Sequence, residues 1–214
     1  IMVTASHNPA CDNGFKLFGK NYQHCDYDEL KIIYAALSNK EYKIYEGSGK
    51  VINLEINDLY AKSVRESIRL GSRKTKVVVD PGNGTASIIV KKIYERFPFD
   101  VIFINDISNP DFPNHHPDPN VKANMQQLCE AVIENQADLG LAYDGDADRC
   151  GFVDNEGKVI DADILMALMC KSILKASKNK TVLIDVKCSN TLRDEIIACK
   201  GNIYLDTPSS AKQE

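Results

Sequence analysis

An α/β fold of consecutive domains, with mixed, largely parallel sheets sandwiched by helices, is predicted by three features of the sequence. Short runs rich in β-branched residues end in turn signals, amphipathic stretches follow them, and the pattern recurs along the chain. A strand closed by Pro or Gly and then covered by a helix is the unit from which parallel sheets are assembled.

The elements follow in order. Thr4-Ala5-Ser6-His7-Asn8-Pro9 reads as a proline-set loop, Asp12-Asn13-Gly14 as a turn, and Phe15-Lys16-Leu17-Phe18 as a strand. Residues 26–37 and 56–70 read as helices, the second with Leu59, Val64, Ile68 and Leu70 spaced among charges. The charged stretch Gly71-Ser72-Arg73-Lys74 marks a domain boundary. Lys76-Val77-Val78-Val79-Asp80 is a strand, ended by Pro81-Gly82-Asn83-Gly84 and followed by a helix over about 87–96. Strand 101–105, helix 121–135 and strand 138–143 repeat that unit. Residues 150–154 and 158–160 flank the turn Asn155-Glu156-Gly157 and read as a hairpin. Helix 162–175, strand 181–186, helix 191–199 and strand 202–205 open a further β/α layer.

Composition narrows the function. The 214 residues are 43% hydrophobic and 26% charged, enough to bury a core. A net charge of −4 with no basic block argues against a nucleic-acid partner and leaves a small molecule as the expected one. Seven cysteines, an odd number with no C-x-x-C pair, argue against a disulfide framework or a zinc knuckle and point to a reducing cytoplasm. No stretch reaches the roughly 20 apolar residues of a membrane span. The chain opens on Ile1 immediately before a functional-looking loop, so an internal piece of a longer protein is expected.

Two motifs carry chemistry. Asp144-Gly145-Asp146-Ala147-Asp148-Arg149 spaces three carboxylates at alternate positions of a loop that follows a strand, a set suited to a hard cation such as Mg²⁺. An EF-hand beginning at Asp144 would need Gly sixth and Glu twelfth, where Arg149 and Asn155 stand. A solvated acidic turn is the plainer alternative. Arg149 beside the carboxylates is suited to hold a phosphate. Ser6 is a poor nucleophile unless a base, metal or cation activates it, and His7 and Lys16 are candidates for that help. Taken alone, Ser6-His7-Asn8-Pro9 reads as a cap or turn in preference to a catalytic loop, and Lys16 could likewise be an exposed strand lysine. Together the two motifs point to phosphoryl transfer.

Weaker signals surround them. Gly47-Ser48-Gly49-Lys50 lacks the first Walker glycine and reads as a turn. Pro81-Gly82-Asn83-Gly84 reads as a tight strand-to-helix turn, and His115 and His116 belong to a rigid proline-set loop near the substrate. Lys187, after its strand, can meet a substrate or stand on the surface.

These residues resemble the α-D-phosphohexomutase family, and within it the bacterial phosphomannomutase/phosphoglucomutase group. Thr4-Ala5-Ser6-His7-Asn8-Pro9 with Asn13-Gly14-Phe15-Lys16 is similar to the family's phosphoserine loop, and Asp144 to Arg149 to its magnesium loop. Phe112-Pro113-Asn114-His115-His116-Pro117-Asp118-Pro119 and Asp185-Val186-Lys187-Cys188 match further motifs in the same order. The resemblance implies that Ser6 carries a phosphoryl group and ligates Mg²⁺ with Asp144, Asp146 and Asp148. A hexose 1-phosphate and a hexose 6-phosphate, of mannose or glucose, would interconvert through a hexose 1,6-bisphosphate. His7 and Lys16 would serve proton transfer and charge balance, while Arg149 and Lys187 would contact the sugar phosphate. It implies a cytoplasmic monomer or weak dimer acting on a small phosphosugar.

By the same resemblance residues 1–72 correspond to the latter part of a first domain, 73–158 to a second, and 159–214 to the start of a third. The family's sugar-reading Gly-Glu-x-Ser loop and fourth domain have no counterpart in these residues. Where the family has a Gly-His pair, Thr207-Pro208-Ser209-Ser210-Ala211 stands. Two alternatives follow: a catalytically incomplete Mg²⁺- and phosphosugar-binding piece, or a metal-dependent phosphatase.

Overall fold

The computed structural model describes residues 1–44 and 46–206. Its centre is a five-stranded mixed sheet. Strands β3 (Thr75–Asp80), β4 (Phe99–Phe103), β5 (Leu139–Tyr143), β6 (Cys150–Asp154) and β7 (Val159–Ile160) lie in the order β4-β3-β5-β6-β7. β3 pairs in parallel with β4 and β5, whereas β5–β6 and β6–β7 are antiparallel.

The run Val77-Val78-Val79 explains why β3 lies inside. All three valines are buried, and because alternate side chains leave a strand on opposite faces, they serve two cores. Val78 packs with Met125, Leu128 and Val132 below the sheet, Leu128 and Val132 belonging to the helix Gln126–Glu134. Val77 and Val79 pack with Val90 and the rings of Tyr94, Phe99 and Phe103 above it.

The sequence expects one helix over about 87–96, but the structure divides it into a 3₁₀ turn at Thr85–Ile88 and a short helix at Val90–Tyr94. Two causes are visible. The backbone N–H and hydroxyl of Thr85 both bond the carbonyl of Gly145, and the β-branched run Ile88-Ile89-Val90 resists helical packing. The helix expected from 121 likewise opens with a 3₁₀ turn at Lys122–Met125.

On either side lie smaller units. Towards the N-terminus, β1 (Met2–Val3) and β2 (Phe15–Lys16) form a two-residue antiparallel pair. Helix α1 (Tyr27–Ser38) begins at a capping box, with the Asp26 carboxylate accepting from Glu29 N–H and Glu29 accepting from Asp26 N–H. No residue of α1 is buried. Helix α2 (Asn57–Ser67) buries only Ala61 and lies against the Val90–Tyr94 helix. Beyond the central sheet, β8 (Thr181–Asp185) and β9 (Asn202–Asp206) pair in parallel. Helices Ala162–Ala176 and Asn190–Ala198 pack on them through Ala167, Leu174, Leu192 and Ile196. Among the described residues no helix is long and apolar enough to cross a membrane. Thr207 to Ala211 lie outside the described residues.

Candidate active site

Strands β5 and β6 are joined by residues 144–149, so the aspartate loop is a hairpin connection at the carboxyl end of a buried strand rather than an entry into a helix. Its first member, Asp144, is fully buried and bridges the base of the loop: its carboxylate accepts from Arg149 N–H at 3.0 Å. Carboxylate oxygens of Asp144, Asp146 and Asp148 come within 4.8 Å of one another. Ala147 turns the chain between the last two with a left-handed backbone, φ 63°.

The serine loop arrives from the other side. Ser6 also holds a left-handed backbone, φ 55°, a conformation that costs roughly 1 kcal/mol or more in a non-glycine residue and needs surrounding support. Part of it comes from Thr4, whose hydroxyl accepts from Ser6 N–H and donates to Asp146, both at 2.9 Å. Ser6 caps no helix. Its Oγ lies 3.1 Å from His7 Nδ1 and 3.3 Å from a carboxylate oxygen of both Asp144 and Asp146.

Two glycines permit this approach. A Cβ on Gly145 would stand 2.1 Å from the carbonyl oxygen of Ser6, and one on Gly84 would stand 2.8 Å from that of Gly145. Only hydrogen fits between the serine loop, the aspartate loop and the turn after β3.

Lys16, carried in by β2, donates to Asp146 and Asp148 at 3.0 Å each. Those bonds, that to Asp146 foremost, raise the lysine above its ordinary range. The carboxylates diverge. Burial, reinforced by the neighbouring aspartates, pushes Asp144 up. Burial acts the same way on Asp146, but the bonds from Lys16, Thr4 and Ser6 together outweigh it and hold that carboxyl low. Arg149 stands further off, 3.8 to 4.0 Å from Asp118, Asp144 and Asp148. Four carboxylates thus face two cations, two positive charges short, which is the charge of one divalent ion. Hard oxygen donors at this spacing could bind such a metal.

The fold brings Ser6, His7, Lys16, Asp144, Asp146, Asp148 and Arg149 together across more than a hundred residues of sequence. Lys187 is different: it follows β8 on an exposed segment, and among the described residues no hydrogen bond or ion pair joins its side chain to this group. Sequence reasoning assigned no role to Thr4, Asp118 or His116. The first offers a hydroxyl two residues before Ser6, the second is the nearest side-chain contact of the Arg149 fork, and the ring of His116 meets that of His7 edge-on at 6.4 Å. Proximity across loops is what assigns these three, and no local pattern encodes it.

Comparison with known proteins shows the family. Residues 1–44 match the description phosphoglucomutase/phosphomannomutase, alpha/beta/alpha domain I, and residues 58–157 match domain II of the same family. The chain belongs to the phosphoglucomutase/phosphomannomutase family. It is 37% identical over 192 residues to the phosphomannomutase/phosphoglucomutase of Pseudomonas syringae pv. tomato, covering 90% of this chain and 40% of that protein. Against the phosphomannomutase of Methanocaldococcus jannaschii it is 34% identical over 212 residues, 96% of this chain and 46% of the relative. A crystal structure of a family protein from Burkholderia thailandensis superposes with a TM-score of 0.85 at 28% identity, over 97% of this chain and 44% of that one. The chain therefore spans a little under half the length of these family members.

Proposed function

We propose that this chain carries the phosphoryl-transfer centre of a phosphohexomutase that interconverts hexose 1-phosphate and hexose 6-phosphate, of mannose or glucose, through a hexose 1,6-bisphosphate. The observation that carries the reading is Ser6 Oγ within 3.3 Å of the cation-binding carboxylates and 3.1 Å from an imidazole nitrogen. Membership of a family whose related proteins are named as mutases favours the same reading over a phosphatase or an inert binder.

In this reading phosphorylated Ser6 gives its phosphoryl group to a hexose monophosphate, and the 1,6-bisphosphate so formed turns over in the site and returns its other phosphoryl group to Ser6. As the P–Oγ bond forms, the serine proton passes to His7 Nδ1; the P–O bond to the sugar breaks, and the sugar oxygen takes a proton. The donation from Ser6 to the monophosphate is the same step in reverse at the other end of the sugar. Lys16 helps to keep Asp146 ionised, bonds Asp148 as well and offsets charge on the transferring group, and the exposed Arg149 fork offers a bidentate hold for phosphate oxygens. Asp144, Asp146 and Asp148, with the Ser6 oxygen, would hold Mg²⁺, which when bound supplies neutralisation of phosphoryl charge. Lys187 would reach the sugar phosphate from the β8 side. The domain limits 1–72, 73–158 and 159–214 and a cytoplasmic setting, as a monomer or weak dimer, complete the reading.

Intact mass after incubation with glucose 1,6-bisphosphate and Mg²⁺ tests it. The expected result is a gain of one phosphate, absent in Ser6→Ala and in Asp144→Asn; an unmodified wild-type chain refutes the phosphoserine.

A further inference from the structure

Behind the serine site, outside the residues assigned to phosphoryl transfer, lies a second ionisable pair. Asp80, at the end of β3, is 1% exposed, and its carboxylate is surrounded by donors: Gly82 N–H at 2.8 Å, Asn105 Nδ2 at 3.2 Å to both oxygens, and His115 Nε2 at 2.9 Å. The other ring nitrogen of His115, Nδ1, lies 3.0 Å from the carbonyl oxygen of His116. A carboxylate and a carbonyl only accept, so both ring nitrogens must donate, and a ring with two N–H groups is an imidazolium. The hydrogen bond to Asp80 holds His115 above the ordinary imidazole range in spite of its burial. Among the described residues, Asp80 is the ionisable side chain that bears on this ring, alongside the His116 carbonyl.

The pair does more than fill space. The carbonyl of His116 also accepts from Asp118 N–H at 2.9 Å, so two donors fix the orientation of the peptide that follows His116. Buried Pro117 completes the seat; a Cβ on Gly82 would stand 3.1 Å from its ring. Held this way, the His116 ring lies edge-on to the ring of His7, centroids 6.4 Å apart at 74°. His7 in turn bonds the Ser6 hydroxyl.

We propose that Asp80 and His115 form a carboxylate–imidazolium strut that holds His116 against His7, making both members of the pair positioning residues for the Ser6 hydroxyl. The strut links the central sheet to the catalytic imidazole without touching the reacting atoms. The positioning role rests on the reading of Ser6 as the phosphoryl carrier; the charge state of His115 does not.

The chain has four histidines, so ring nitrogens can be read individually in ¹H–¹⁵N spectra of histidine-labelled protein. At pH 7.5 one ring, the one lost in His115→Gln, is expected to carry protons on both nitrogens. Asp80→Asn can keep the bond to the ring, its amide donating to His115 Nε2 while its oxygen still accepts from Gly82 N–H and Asn105 Nδ2, and should leave that ring neutral with its proton on Nδ1. Both variants should shift the His7 and His116 ring signals and slow phosphorylation of Ser6 by glucose 1,6-bisphosphate about tenfold, the scale of losing an orienting partner. The bisphosphate concentration giving half the maximal rate should stay unchanged, which separates positioning from weakened binding. A bare nitrogen on His115 at pH 7.5 overturns the strut. A folded Asp80→Asn with unchanged His7 signals and unchanged phosphorylation overturns the positioning role. If His115→Gln does not fold, Asp80→Asn decides alone. If the wild type takes no phosphate, the function proposed for Ser6 fails, and the ring spectra still decide the strut and its hold on His7.

Discussion

The two halves of the site are supported in opposite ways. The aspartate loop is the hairpin between two strands of a five-stranded sheet whose valines are buried on both faces, and its base is closed by Asp144 within its own residues. The serine loop hangs between two-residue strands whose Met2, Val3 and Phe15 are exposed, and the helix that follows buries nothing. Its geometry is maintained chiefly by what it touches across the cleft: Thr4 and Lys16 on Asp146, and Gly145 under the Ser6 carbonyl. One half brings rigidity from its own core, and the other borrows it from the first. Long-range polar cross-links therefore matter more for the nucleophile than local secondary structure does.

Core substitutions should break this comparison most sharply. Leu128→Ala removes a fully buried side chain beneath β3 and is expected to cost about 2–5 kcal/mol, whereas Leu30→Ala on α1 should stay within about 0.5 kcal/mol. Urea unfolding compares them directly, and equal losses would mean that α1 belongs to the same cooperative core. Next is Gly145→Ala. The added methyl must push the Ser6 carbonyl away, separating the halves without touching either chemistry, and phosphorylation of Ser6 should fall about a hundredfold, the scale of an ångström of misplacement. Unfolding of the central sheet should change far less; a rate within twofold of wild type would show that the serine loop adjusts freely.

That asymmetry also explains what the sequence could reveal. Val77-Val78-Val79 ended by Pro81-Gly82 marks β3 because a strand buried on both faces has little room for polar residues. The strands 150–154 and 202–205 emerge too, as short segments with apolar residues bounded by turn signals. Chain order alone could not reveal that β5 would pair antiparallel with β6 across the aspartate loop, or that 87–96 would divide where Thr85 is tied to Gly145. In the site, Ser6 and the three aspartates were legible as chemical types at telling spacing. Thr4, Asp118 and His116 were not, because each acts through a partner on another loop, and Lys187 shows the converse, a residue with a motif whose side chain, among the described residues, makes no bond to the site.

Lys16 tests the charge side of the comparison. Its ammonium sits on Asp146 and Asp148, where it competes with any metal for the same oxygens. Lys16→Met should therefore tighten Mg²⁺ binding about fivefold, close to 1 kcal/mol and in the upper range for a partly exposed ion pair. Titration calorimetry reads this independently of turnover, and weaker binding would mean that the lysine organises the carboxylates rather than competing for them.

The smallest effect expected is a pH dependence from the His115–Asp80 pair. The folded ring holds its proton more tightly than the unfolded ring, whose ordinary value is 6.5. Below that value both states are protonated, and the stabilisation is present in full. As the pH rises, the unfolded ring releases its proton first, so folding comes to require proton uptake; the contribution declines and is lost once the pH passes the raised folded value. Unfolding free energy measured from pH 6 to pH 9 should therefore fall more steeply for the wild type than for His115→Gln, the difference between the two curves isolating this pair from the site carboxylates. Parallel curves would mean that the folded ring holds its proton no more tightly than the unfolded one. The serine half would then be tied to the sheet chiefly through Ser6 itself, Thr4, Lys16 and the close contact at Gly145.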